Sequence, residues 1–396
     1  MNREDFNMLS NDIIYFDNAA TTLKPKVLGE VISDYYNNYT SNIHRGDYDI
    51  SLKAESMYEN TRTKVANLIN ANNKEIVFTS GATDSLNKII FGYFKDYLKE
   101  DDEVLTTRSE HASLILPFFE LANTNKIKVN YIKLDDEYKV TLENVKNSIT
   151  SKTKVIALAH ITNVIGDIRP IKEIIESAHK NNILVIIDGA QSVPHIKIDV
   201  KDLDVDFLAF SAHKMLGPTG LGILYAKENL LENTKPIIFG GGMNASFEDT
   251  TDRVYSDIPN RLEAGTPNIA GVIGFGKVID YINEITLDKI NEYENSLKNY
   301  MIEQLEKNPN ITIYNKNSDS GIITINYKDV FAQDLAIYLN KYNICVRAGN
   351  HCAKILKNEI GIKNTCRISL YFYNSKSEID KFIEVINNPN LINEIL

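Results

Sequence analysis

The chain has 396 residues, 43% hydrophobic and 24% charged, with a formal net charge of −10. That length allows two domains around a large core, and the acidic balance excludes nucleic acid or an anionic membrane as the main partner. Three cysteines, Cys345, Cys352 and Cys366, form no C-x-x-C pair and leave a thiol over in any disulfide scheme, which points to a reducing compartment. The N-terminal MNREDFNMLSND mixes acids and bases without an apolar stretch, and nowhere does the chain approach the ~18 uncharged apolar residues of a membrane span. A cytoplasmic protein is expected, with no membrane and no nucleic-acid partner.

The first clear strand is residues 75–79, EIVFT, running into Ser80-Gly81-Ala82-Thr83 and then into helical spacing at Leu86, Ile89, Ile90, Tyr93, Phe94 and Tyr97. Glu110-His111-Ala112 follows another early strand. Residues 154–158 and 183–187 are continuous apolar runs separated by a helix over 171–180, the signature of strands buried on both faces of a parallel sheet. The second run delivers Asp188-Gly189-Ala190-Gln191. A third, Phe207-Leu208-Ala209-Phe210, delivers Ser211-Ala212-His213-Lys214. Gly222-Ile223-Leu224-Tyr225 follows after too short a loop for a crossover and so predicts an antiparallel strand.

Beyond Gly265 the texture changes. A charged helix is predicted over 288–307, strands over 311–314 and 321–327, a helix near 334–341, a strand over 366–373 and a terminal helix from Ser375. The fold class is α/β: a large, mostly parallel sheet domain over 30–265, and a smaller α+β domain built from 1–29 and 266–396 and carrying Cys352.

Sites in open α/β sheets gather at the carboxyl ends of the strands. Lys214 stands at one of them, but Gly217, Gly220 and Gly222 follow the lysine rather than precede it, which is the wrong order for a nucleotide-binding P-loop. Taken singly, the neighbouring residues have structural alternatives: Asp188 and Thr83 as helix caps, His111 as a core histidine, Ser211 and His213 as loop donors. Taken together they match the needs of pyridoxal phosphate. That cofactor requires a lysine for its aldehyde, an aspartate for its ring nitrogen, a flat group over the ring and a phosphate cup.

The segments Tyr15-Phe16-Asp17-Asn18-Ala19-Ala20-Thr21-Thr22, Asn42-Ile43-His44-Arg45-Gly46, Asp188-Gly189-Ala190-Gln191, Ser211-Ala212-His213-Lys214 and Glu263-Ala264-Gly265-Thr266-Pro267-Asn268 resemble the class V aminotransferase family of fold-type I pyridoxal phosphate enzymes. Within it the chain resembles the group II, SufS-type cysteine desulfurases, from about Tyr15 to about Lys381. The resemblance implies that Lys214 holds the cofactor covalently, Asp188 pairs with its ring nitrogen, Gln191 bonds the ring hydroxyl, and His111 stacks on the ring and relays protons. Thr83, Ser211 and His213 would grip the phosphate, joined by Thr266 from the second subunit of a homodimer.

Arg347-Ala348-Gly349-Asn350-His351-Cys352-Ala353 resembles the short catalytic-cysteine segment of the group II enzymes. Cys352 is then the nucleophile, with His351 and Arg347 as candidates to stabilise its thiolate. Cys345 and Cys366 read as structural. Arg367 is implied to fork the substrate carboxylate, and Asn163 and His44 are weaker assignments to the substrate pocket. The implied reaction removes sulfur from L-cysteine, leaving alanine and a Cys352 persulfide that passes to a SufE- or SufU-type acceptor for iron–sulfur cluster assembly. The alternatives are a selenocysteine lyase, another class V enzyme, or a non-catalytic sulfur-transfer scaffold, which would have no chemical need for Lys214 and Asp188. Asn350 and the segment Gly240–Ala245 depart from the family wording.

Overall fold

The structure is a computed structural model and describes residues 3–44, 46–248, 251–362 and 364–395. Fifteen strands occur among these, beginning with the two-residue β1 (Ile14–Tyr15). Seven of the next form one sheet: β2 (Ile76–Thr79), β3 (Glu103–Thr106), β4 (Lys128–Tyr131), β5 (Thr153–Ala159), β6 (Leu184–Asp188), β7 (Phe207–Ser211) and β8 (Gly222–Ala226), in the order 2-8-7-6-5-3-4. Only β8 runs against its neighbours, pairing antiparallel with β2 and β7. The other pairs are parallel.

The continuous apolar runs explain why this sheet is covered twice. Along β5 and β6, Ile156, Leu158, Val185 and Ile187 face one core, shared with the helices Asp49–Ile69, Ile171–His179 and Ile269–Ile285. Val155, Ala157 and Ile186 alternate to the other face, against the helices Ala82–Ile89 and Ala112–Asn125. The helical spacing read over 86–97 is one continuous rod whose middle, Ile90–Phe94, is wound as a π-turn.

The remaining strands are the hairpin β9 (Asn244–Phe247) and β10 (Arg253–Tyr255), then β11 (Ile311–Ile313), β12 (Ile322–Tyr327), β13 (Ile344–Cys345), β14 (Arg347–Gly349) and β15 (Thr365–Ser369). An antiparallel sheet, 11-12-15-14, packs with the helices Leu287–Leu305, Ala332–Asn340 and Lys376–Ile386 around a second core. β1 pairs with β13 and joins the N-terminal segment to this unit.

Two expectations are corrected. The helix Ile269–Ile285, assigned from sequence to the smaller unit, packs against the helices Lys26–Asn38 and Asp49–Ile69 in the core of the large sheet. Eleven of its residues are buried, so it needs apolar partners on most sides, and only the large core supplies them. The strand predicted over 366–373 stops at Ser369. There the side-chain oxygen of Asn374 accepts from Tyr371 N–H at 2.8 Å and turns the chain into the helix capped by Ser375.

Candidate active site

The carboxyl ends of β2, β5, β6 and β7 open onto one cavity of about 200 Å³. Its walls include Thr83, His111, Asn163, Asp188, Gln191, Ser211, His213, Lys214, Cys352 and Arg367. Ten of the twelve residues given catalytic, cofactor or substrate roles from the sequence therefore converge, together with Arg347 and His351, although the ten span 285 positions of chain from Thr83 to Arg367 counted inclusively.

The turn after β2 forms one side. Ser211 Oγ accepts from Ala82 N–H at 2.8 Å, and Thr83 Oγ1 lies 2.7 Å from Ser113 Oγ. β8 comes so close to this turn that a Cβ on Gly222 would lie 2.4 Å from the Gly81 backbone, so only glycine fits there. The accepting role of Ser211 leaves its O–H proton for an anion in the cavity, beside the exposed Thr83 hydroxyl and the first turn of the helix Ala82–Ile89. Opposite, Asp188 is buried, with one carboxylate oxygen accepting from Ala190 N–H at 2.9 Å. Gln191 is held by its Nε2 donating to the Ala19 carbonyl at 2.8 Å.

Electrostatics set the protonation of the bases. Burial brings the Lys214 ammonium down from 10.5 to about 8; Asp188 opposes this, while Arg367 and Arg347 add to it. His111 is pushed down to about 4, first by burial and then by Lys214, so its imidazole is neutral at pH 7. Its Nδ1 accepts from Ser113 N–H at 3.1 Å as an N-cap, which leaves the ring proton on Nε2. His213 is likewise pushed to about 4, by burial first and then by Lys214 and Lys24.

The thiol arrives on the turn between β14 and β15. Cys352 is exposed, Cys345 half-buried and Cys366 buried, and burial pushes the Cys366 thiol up to about 12. Two anchors hold the turn. Asn163 Nδ2 donates to the His351 carbonyl at 2.6 Å, and Ala112 N–H donates to the Cys352 carbonyl at 2.8 Å. His351 and Cys352 both lie in the left-handed region, at φ 51° and 57°. Two successive non-glycine residues there carry strain, which these anchors oppose.

His351 is not a cationic neighbour for the thiol: burial, then Arg367 and Arg347, push its imidazole down to about 3, and its Nε2 is spent on Thr365 Oγ1 at 2.9 Å. Of the two candidates, Arg347 alone brings a positive charge to the cavity wall.

Arg367 is no surface residue, at 2% exposure. Its Nη1 donates to the Asn163 carbonyl at 3.0 Å and its Nη2 to Asp17 at 3.0 Å, while the buried Nε has no partner. A buried donor without a partner is costly. A substrate carboxylate reaching this guanidinium would add the acceptors it lacks.

Thr266 and His44 lie elsewhere. Both are exposed and line a different hollow of about 360 Å³ with Gly241, Gly242 and Glu263, and His44 Nδ1 is 3.2 Å from Glu55. The neighbouring Arg45 falls outside the described residues. Glu263, read in the sequence only as part of a motif, pins this loop: its carboxylate accepts from Phe78 N–H and Arg62 Nη1, both at 2.7 Å.

Several site residues escaped the sequence reading. Arg169 and Glu110 form a fully buried ion pair behind His111, with Arg169 Nη2 also donating to Ser109 Oγ at 2.7 Å and Glu110 accepting from Ala159 N–H at 2.7 Å. They fix the ends of β3 and β5 and thus His111 and Asn163. Asp17 was read only as part of the Tyr15–Thr22 motif and Arg169 not at all, because neither signals a partner without the fold.

Comparison with known proteins places the chain in a family. The family model described as aminotransferase class-V matches residues 14–382. A probable cysteine desulfurase of Halalkalibacterium halodurans is 40% identical over 377 residues, covering 95% of this chain and 93% of its own length. The solved apo cysteine desulfurase of Thermococcus onnurineus superposes with a TM-score of 0.93 at 36% identity, over 97% of this chain and 96% of that one. The cysteine desulfurase CsdA of Escherichia coli gives 0.93 at 32% identity, over 100% and 98%.

Proposed function

Because the chain belongs to the class-V aminotransferase family, we propose that it is a pyridoxal phosphate-dependent cysteine desulfurase that converts L-cysteine to alanine and keeps the sulfur on Cys352. The observation that carries this reading is the exposed Cys352 on the same cavity wall as Lys214, Asp188 and Arg367.

The donor set fits the cofactor: an amine whose hold on its proton burial weakens, a buried carboxylate opposite, a flat neutral imidazole, and hydroxyl and N–H donors at the turn after β2. Bound there, pyridoxal phosphate supplies a sink for the electrons left when the substrate Cα loses its proton. Lys214 Nζ carries the cofactor and then takes and returns the Cα proton, a task suited to an amine brought to about 8. With the cofactor bound, Asp188 would keep the proton on the ring nitrogen and Gln191 would hydrogen-bond the ring hydroxyl. Thr83, Ser211 and His213 would hold its phosphate. Arg367 binds the substrate carboxylate, with Asn163 fixing both Arg367 and the thiol turn. The Cys352 sulfur attacks the substrate sulfur: an S–S bond forms as the C–S bond breaks, the C–S electron pair stays with the carbon fragment, and His111 Nε2 lies in the proton relay that completes alanine.

The chain divides into a larger unit that carries the cofactor and a smaller one that carries Cys352. It works as a homodimer: Thr266 and His44, exposed in this chain, face the site of a second copy, and the exposed Ile238 and Phe239 nearby give that contact an apolar component. The persulfide passes to a thiol-bearing acceptor of the SufE or SufU type in iron–sulfur assembly, in the cytoplasm. Among the described residues no helix is long and apolar enough to cross a membrane.

The test is cysteine-dependent release of alanine. The purified protein should show a band near ~420 nm from the lysine-bound cofactor, and Lys214→Ala should lose both band and turnover. Alanine release at the wild-type rate by Lys214→Ala would end this reading.

A further inference from the structure

Lys24 lies just before the helix Lys26–Asn38, outside the walls of the cavity, and no motif assigned it a role. Its half-buried ammonium makes no salt bridge among the described residues, and burial alone brings it down from 10.5 to about 7. A desolvated ammonium without a carboxylate is costly and calls for another partner. The nearest partner is one backbone oxygen, with the Thr21 and Thr22 hydroxyls as longer contacts of the same ammonium at 3.3 and 3.5 Å. Lys24 Nζ donates to the His213 carbonyl at 2.7 Å, and the same oxygen receives Thr21 Oγ1 at 3.0 Å, Thr22 Oγ1 at 3.2 Å and Thr22 N–H at 3.1 Å.

Four donors on one acceptor exceed its two lone pairs, and the charge-assisted one is the shortest. The peptide they grip joins His213 to Lys214. On the far side of the lysine the strap closes again, because Leu216 N–H donates to Thr22 Oγ1 at 2.9 Å. The strap itself is fastened at Thr21, whose carbonyl accepts from Tyr15 O–H, and at Leu23, whose N–H donates to Tyr373 O–H. A planar peptide held by its carbonyl has a fixed orientation, and with it the place of the next Cα, from which the Lys214 side chain leaves.

We propose that Lys24 is a positioning residue for Lys214: with Thr21 and Thr22 it clamps the His213–Lys214 peptide, so that the Lys214 amine meets both the cofactor and the substrate Cα from one fixed base. The proposal rests on the reading of Lys214 as the cofactor-bearing, proton-moving amine.

The experiment compares the holoenzyme with Lys24→Met, which keeps length but loses the donors, and with Lys24→Arg, which restores a cation. Hydrogen exchange is followed in the peptide covering 212–218, together with the steady-state constants for L-cysteine. Loss of one charge-assisted hydrogen bond predicts a roughly 10-fold faster exchange of the Leu216 amide in Lys24→Met. A drop in kcat of similar size is expected with KM within about twofold, and substantial recovery in Lys24→Arg. Should Lys24→Met fail to fold, Thr21→Val removes a second donor from the same oxygen and should speed exchange in the same peptide to a smaller degree. Unchanged exchange at 212–218, or a loss of rate that Lys24→Arg does not repair, overturns the proposal. Borohydride trapping of the cofactor on wild-type Lys214 tests the underlying reading separately, since the exchange measurement needs no turnover.

Discussion

In the apo-protein Lys214 should behave as an amine titrating near 8 rather than 10.5. At pH 7 that change raises the neutral, nucleophilic fraction from about 0.03% to about 10%, roughly 300-fold. The cause is loss of hydration, reinforced by Arg367 and Arg347 and opposed by Asp188. Competitive acetylation of the apo-protein between pH 6 and 11, read by mass spectrometry on the peptide containing Lys214, measures this without cofactor or substrate. The labelling rate should level off near pH 8, far below the midpoint of exposed lysines. Asp188→Asn removes the larger of the two influences that favour the ammonium, the other being Cys352, and should move the midpoint lower still. The unfolded chain keeps its lysine protonated up to about 10.5, so between pH 8 and 10.5 it binds more protons than the folded apo-protein, and this group's contribution to stability rises with pH there. A Lys214 midpoint near 10.5, or an upward move in Asp188→Asn, would refute the electrostatic argument.

Other outcomes follow from the same geometry. Cys352→Ser should keep the cofactor band and release no more than a trace of alanine. Brief exposure of the wild type to L-cysteine should add one sulfur to the Cys352 peptide and none to Cys345 or Cys366, as mass spectrometry can check. Asn163→Ala removes the donor to the His351 carbonyl, worth about 0.5–1.5 kcal/mol, and should lower alanine release and speed exchange at 350–353 while the cofactor band stays. Arg169→Met leaves Glu110 buried without its cation and should cost about 3–5 kcal/mol, visible as a lower melting temperature.

What could be read from the sequence, and what could not, has a physical pattern. Asp188 and Ser211 were legible because a strand buried on both faces is an unbroken apolar run, and its last residue marks where a site can be. The reversed direction of β8 was legible because ten residues between Ser211 and Gly222 cannot hold a crossover helix. The Arg169–Glu110 pair was not, since its members are 59 positions apart and only the fold brings them together. The helix Ile269–Ile285 was misplaced because a change of texture at Gly265 says nothing about which core an apolar helix will choose. That His351 is held neutral was not legible, because protonation depends on burial, and burial is a property of the folded chain.

The two anchors on the thiol turn belong to different strand ends of the large sheet: Asn163 follows β5 and Ala112 follows β3, yet they fasten consecutive carbonyls, 351 and 352, of a turn that grows out of the small one. The turn is thus a rivet between two layers rather than an arm extending from one. On the function proposed above, sulfur loaded on Cys352 would be collected where it forms, and the distance to an acceptor would have to be covered by the acceptor, its thiol carried on a part slender enough to reach this turn.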